Sequence, residues 1–145
     1  MTGSALWLIG AMLALGALAI GLLFYLGNVR IPMILKGEVS IRDIALDRGG
    51  WPEREHRVSN AFDNQFQLPV LLYASGLLAL YFGATLLEVL LVWAFVVSRY
   101  VHAYIHVTDN HVVRRFWAYF TGLLILCGLW LDLIVRLLLV AFGVK

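Results

Sequence analysis

The chain has 145 residues, is 62% hydrophobic and 14% charged, and has a mean hydropathy of +0.87, against roughly 45–50% apolar and about 25% charged for a soluble domain. That composition excludes a soluble globular protein. Eleven basic and nine acidic residues leave a net charge of +2, which lacks the dense positive face of a nucleic-acid binder, and three prolines without a low-complexity tract exclude disorder.

A helix needs about 20 mostly apolar residues to cross a bilayer core, and such runs predict four spans, at about 4–29, 58–82, 86–107 and 114–143. The expected fold is therefore all-α, a polytopic four-transmembrane-helix bundle forming a single domain over residues 1–145. The first run is uncharged up to Arg30 and has no basic leader or small-residue cleavage site, so it reads as a retained span. Its Gly10, Ala14, Gly16, Ala17 and Gly21 suit close helix packing. Trp7, Trp93, Trp117 and Trp130 read as interface anchors. Cys127, the single cysteine, matches no disulfide or metal pattern and reads as a packing residue.

Loop 30–57 carries Arg30, Lys36, Arg42, Arg48, Arg54 and Arg57, and the turn before the fourth span carries Arg114 and Arg115. The turn between the second and third spans has no basic residue, so the positive-inside rule puts the two basic loops in the cytoplasm and both termini outside, with Lys145 opposing weakly. Glu38, Asp43, Asp47, Glu53 and Glu55 nearly cancel the bases of loop 30–57, so it is no polybasic lipid anchor. The stretch 39–46 has no clear period, and Gly49, Gly50 and Pro52 mark a turn before a new helix.

Polar side chains inside the membrane cost free energy and point to function. Arg57, Asn60, Asn64 and Gln67 follow i, i+3, i+7, i+10, an arc of roughly 80° on a continuous helix, with Asp63 beside them. Such a stripe suits a polar ligand needing several donors and acceptors, and an arginine fork suits a carboxylate. Arg99, His102 and His106 repeat the spacing in the third span and continue to Asn110. Arg99 lies roughly 16 Å of helix rise beyond Glu88, well inside the bilayer. Both stripes open toward Arg30, Arg114 and Arg115, which predicts an electropositive, amide-rich intramembrane pocket.

The four spans, the long first loop, segment 57–69 (RVSNAFDNQFQLP) and segment 99–102 (RYVH) together resemble a small bacterial member of the MAPEG family, the membrane-associated proteins in eicosanoid and glutathione metabolism. Members usually carry Arg, Asn four residues on, Glu three further on, then Pro. Here Asn64 and Gln67 keep the Asn-to-Glu spacing, while Asn60 stands at the arginine position and Gln67 replaces the glutamate. A second register on Asn60 and Asp63 keeps an acid but leaves Arg57 one position late and Pro69 too far along.

The resemblance implies a homotrimer in the bacterial inner membrane. It implies glutathione as ligand and substrate, held between subunits by Arg57, Asn60, Asn64, Gln67, Arg99, His102 and His106. It also implies an arginine that turns the thiol into the attacking thiolate, by position Arg30 or Arg114. The co-substrate would be a lipophilic electrophile arriving from the bilayer. Gln67 supplies no countercharge for the ligand's amino group, whereas the family glutamate would.

Other readings of the same residues stand beside these. Arg57, Asn60 and Asn64 also suit the capping of a helix end, and Arg99, His102 and His106 suit interhelical glue. No metal site is expected, since His102 and His106 lack acidic or cysteine partners at firm spacing. Asp132 and Arg136, acid first at i, i+4, predict a helical ion pair near the outer interface and close to Glu88. Two classes of function follow: a glutathione-dependent transferase or peroxidase, or a non-catalytic membrane assembly or lipid- or ligand-binding protein.

Overall fold

A computed structural model describes residues 2–45 and 48–143. The described residues form six α-helices and no strand: α1 (Gly3–Leu35), α2 (Ile41–Ile44), α3 (Glu53–Asp63), α4 (Leu68–Phe82), α5 (Leu86–Val107) and α6 (Val112–Ala141). Asp47 and Lys145, counted above among the loop and terminal charges, lie outside the described residues. Four segments are long and apolar enough to cross a membrane: α1, the combined α3–α4 segment, α5 and α6.

Local chemistry sets the helix ends. The Thr2 hydroxyl accepts from the Ala5 amide at 3.3 Å and starts α1. Thr85 and Glu88 form a reciprocal capping box at the start of α5. The His111 ring nitrogen accepts from the Arg114 amide and caps α6. Gly83, at φ +87, ends α4 in a conformation that favours glycine. Helix α1 does not stop at Arg30 as the hydropathy run suggests. It continues through Pro32 to Leu35, so Arg30 lies within the helix.

The second span is not one continuous helix. Pro69 has no amide hydrogen, and its ring would clash with the carbonyl four residues earlier, so the helix breaks ahead of it. A 3-10 turn occupies Asn64–Phe66, and Gln67 takes φ −103, ψ −106 before α4 begins. Side-chain amides add bonds at the end of α3: Asn64 Nδ2 donates to Asn60 O at 2.7 Å, and Gln65 Nε2 to Ala61 O at 3.0 Å.

Helix α1 buries Leu8, Ala11, Leu15, Leu22, Leu26 and Val29, one face at a seven-residue repeat. After the buried Glu88, the buried stripe of α5 is apolar through Val89, Val92, Phe95 and Val96, then turns polar with Arg99, His102 and His106. The core is accordingly divided. Toward the α4–α5 turn it is a packed apolar cluster that includes Leu72 of α4 and Leu126, Leu129 and Leu133 of α6. Toward the α5–α6 loop, two smaller apolar clusters, Leu22, Ala61 and Ala103, and Leu26, Val29 and Val58, lie beside the polar groups of α5.

Helices α5 and α6 approach closely at Gly122, where an added Cβ would fall 2.7 Å from Ser98 Oγ. Gly122→Val is therefore expected to push these helices apart at a cost of about 1–3 kcal/mol. It should appear as a lower thermal midpoint in detergent, and pairing it with Ser98→Gly should recover part of the loss. Cys127, expected as a packing residue, is instead exposed on α6.

Candidate functional site

The continuous helix α5 places Arg99, His102 and His106 on one buried face, as their spacing predicts. Arg99 is 0% exposed, His102 3% and His106 4%. Arg99 donates from one terminal nitrogen to Asn64 O at 3.3 Å, across to the broken second span, and contacts His102 Nδ1 at 3.4 Å. Its guanidinium carbon lies 5.5 Å from the centre of the Tyr119 ring. The other two guanidinium nitrogens, Nε and the second terminal nitrogen, are buried with no hydrogen-bond partner. Burying donors without acceptors is costly, so each such group calls for an explanation.

Arg115 of α6 closes the other side of the site. It contacts His106 Nε2 at 3.2 Å and donates to Asn110 Oδ1. Asn110 has a positive φ of 52°, and its amide donates back to Ile105 O at 2.8 Å, so the α5–α6 loop is wound tightly under Arg115. A guanidinium offers only donors, so the histidine nitrogens that face Arg99 and Arg115 must accept. His106 Nδ1 is then the protonated nitrogen, and it too is buried without a partner.

A cavity of about 270 Å³ opens among Asn64, His102, His106, Val112, Arg115, Phe116 and Tyr119. Its lining holds one arginine and no carboxylate, and Arg99 sits directly behind Asn64, His102 and Tyr119. With three orphaned donors on Arg99 and His106, the chemistry fits a small anion bearing several acceptor oxygens. Among the described residues no group of three or more His, Cys, Asp or Glu is placed to hold a metal ion.

The remaining expected site residues lie elsewhere. Of the second-span stripe only Asn64 lines the cavity. Arg57 is engaged, bonding Glu53 at 2.5 Å and the Thr108 carbonyl at 2.7 Å, so it ties α3 to the end of α5. Asn60 and Gln67 are exposed. For Gln67 the cause is the helix break, which ends the 100° progression that would have aligned it. Arg30 pairs with the buried Glu55 at 2.5 Å and lies over the Trp51 ring at 5.0 Å. Arg114 pairs with Asp109 at 3.4 Å and lines a different, apolar groove. The arginine at the cavity is its neighbour Arg115. Tyr119 also joins the site, a contact that no sequence pattern marked.

At the opposite end of the bundle, Arg136 does not pair with Asp132. It bonds the fully buried Glu88 at 2.5 Å and the carbonyls of Phe82 and Gly83 at 2.9 and 3.0 Å. The capping box fixes the Glu88 carboxylate beside the α4 carbonyls, so Arg136 gains three acceptors there, while Asp132 Oδ2 stays buried without a partner.

The MAPEG family model matches residues 8–135 of this chain. No curated protein and no solved structure matches it.

Proposed function

Because the chain belongs to the MAPEG family, we propose that this multi-pass membrane protein binds glutathione, or a closely related anionic thiol, in the cavity lined by Arg115 and backed by Arg99, and transfers it to a lipophilic electrophile. The observation that carries this reading is Arg99, wholly buried beside a cavity with two guanidinium nitrogens unpartnered. A carboxylate of the ligand supplies the missing acceptors once the lining side chains that screen Arg99 shift aside, and Asn64 and His106 supply neutral polar contacts around it. Arg115, at the cavity wall, is the arginine positioned to favour the thiolate over the thiol. Arg30 is spent on Glu55, and Arg114 faces the apolar groove rather than this cavity. In this reading the protein is a homotrimer of the bacterial inner membrane, its arginine-rich loops are cytoplasmic by the positive-inside rule, and the electrophile arrives through the bilayer.

One observation favours a second, non-catalytic reading. No carboxylate lines the cavity among the described residues, and Gln67 stands outside it, so a ligand ammonium finds no countercharge in this lining. A protein that holds a small anion without performing transfer fits that lining as well.

Thermal unfolding in detergent separates ligand from no ligand. Glutathione at one hundred times its dissociation constant is expected to add about 2.7 kcal/mol to the folded state, read as a rise in the melting midpoint. An unchanged midpoint at millimolar glutathione defeats the transferase reading. A rise without turnover of a model electrophile favours the second.

A further inference from the structure

A second concavity, about 530 Å³, runs between α5 and α6 on a face separate from the anion cavity. Ala94, Val97, Val101 and Ile105 form one wall, and Trp117 and Ala118 belong to the other. Ser98 also lines it, but its hydroxyl turns back to donate to Phe95 O at 2.6 Å, so the wall presents no free donor at that point. The helices are held close at Ser98 and Gly122. At the loop end stands Arg114, its side chain 69% exposed and held only by a long 3.4 Å contact to Asp109. The groove is therefore mostly apolar, with Thr121 and the turned-back Ser98 its uncharged polar residues, and cationic at one mouth.

Its length identifies the occupant. From Ile105 to Ala94 is eleven residues, roughly 16 Å of helix rise, which is about half of a hydrocarbon core of roughly 30 Å. That is the depth of one leaflet. We propose that the α5–α6 groove seats one acyl chain of an anionic phospholipid, with the lipid phosphate bound by Arg114. A guanidinium pairs with phosphate oxygens bidentately, and at the bilayer surface it keeps part of its hydration while doing so. A second copy of the chain packed over this groove would instead bury Arg114 with only its loose Asp109 contact, at a desolvation cost. Trp117, 58% exposed beside Arg114, lies where an indole favours the interface.

The test uses the full chain in vesicles whose phosphatidylglycerol or phosphatidylcholine carries brominated acyl chains, with Trp117 emission taken as the difference between the wild type and Trp117→Phe. Brominated phosphatidylglycerol is expected to quench Trp117 with about fivefold higher relative affinity than brominated phosphatidylcholine, the preference expected of one basic group near anionic lipid. Arg114→Gln should remove that preference, and Arg114→Lys should keep part of it. Equal quenching by the two lipids in the wild type overturns the proposal, as does a preference that survives Arg114→Gln. Quenching by neither lipid, the signature of a groove covered by another copy, overturns it too.

Discussion

Glu88→Ala should lower stability by about 3–5 kcal/mol, the range for breaking a buried ion pair by removing one partner, and the thermal midpoint in detergent should fall accordingly. The carboxylate is 0% exposed, and its two oxygens serve different helices. One bonds Arg136 of α6 at 2.5 Å, and the other accepts from the Thr85 amide at 2.6 Å and its hydroxyl at 2.9 Å. Alanine thus removes the carboxylate half of the capping box and the countercharge together, while the Thr85 hydroxyl still accepts from the amide of residue 88. Arg136 keeps the Phe82 and Gly83 carbonyls and is 23% exposed, which holds the loss toward the lower end. Glu88→Gln retains an acceptor for the cap and should cost visibly less. Arg136→Met leaves the carboxylate buried with Thr85 alone and should cost as much as alanine at 88. A midpoint for Glu88→Ala within error of the wild type would show that the pair carries little of the fold.

What was readable in the sequence follows from where helical periodicity holds. Four spans stand out in the hydropathy, and the Arg99, His102 and His106 face was readable because α5 runs unbroken through all three. The Arg57-to-Gln67 stripe used the same arithmetic across a segment that breaks at Asn64–Phe66, so the phase is lost before Gln67. Pro69 was the available signal: a proline at the first turn of a helix marks an earlier break as readily as an approaching span end. Arg114 and Arg115 present a different limit. Adjacent residues point about 100° apart, and only the packing of α6 on α5 decides that Arg115 faces the cavity while Arg114 faces the apolar groove. Spacing alone likewise offered Asp132 as the partner of Arg136. The actual partner lies 48 residues earlier in the chain, where the α4–α5 turn collects the acceptors.

The second large effect concerns Arg99, where a ligand role and a structural role predict opposite signs. In the free protein its guanidinium has one bond to a carbonyl at 3.3 Å and one contact to a histidine nitrogen at 3.4 Å, while two nitrogens have nothing. A buried cation so poorly compensated is a burden on the fold, and replacing such a charge by an apolar side chain of similar volume is often neutral or stabilising. Arg99→Met should therefore melt, without ligand, at or slightly above the wild-type midpoint. Its affinity for glutathione should nevertheless fall by about 30-fold to several thousand-fold, the equivalent of the 2–5 kcal/mol lost when one partner of a buried charge pair is truncated. Arg99→Lys, which keeps the charge but not the planar fork, should fall between the two. Melting curves and calorimetric titration on the same preparations read both quantities. If Arg99→Met melts several degrees below the wild type and binds glutathione as before, Arg99 is a strut between α5 and the break in the second span, and the anion site must lie elsewhere.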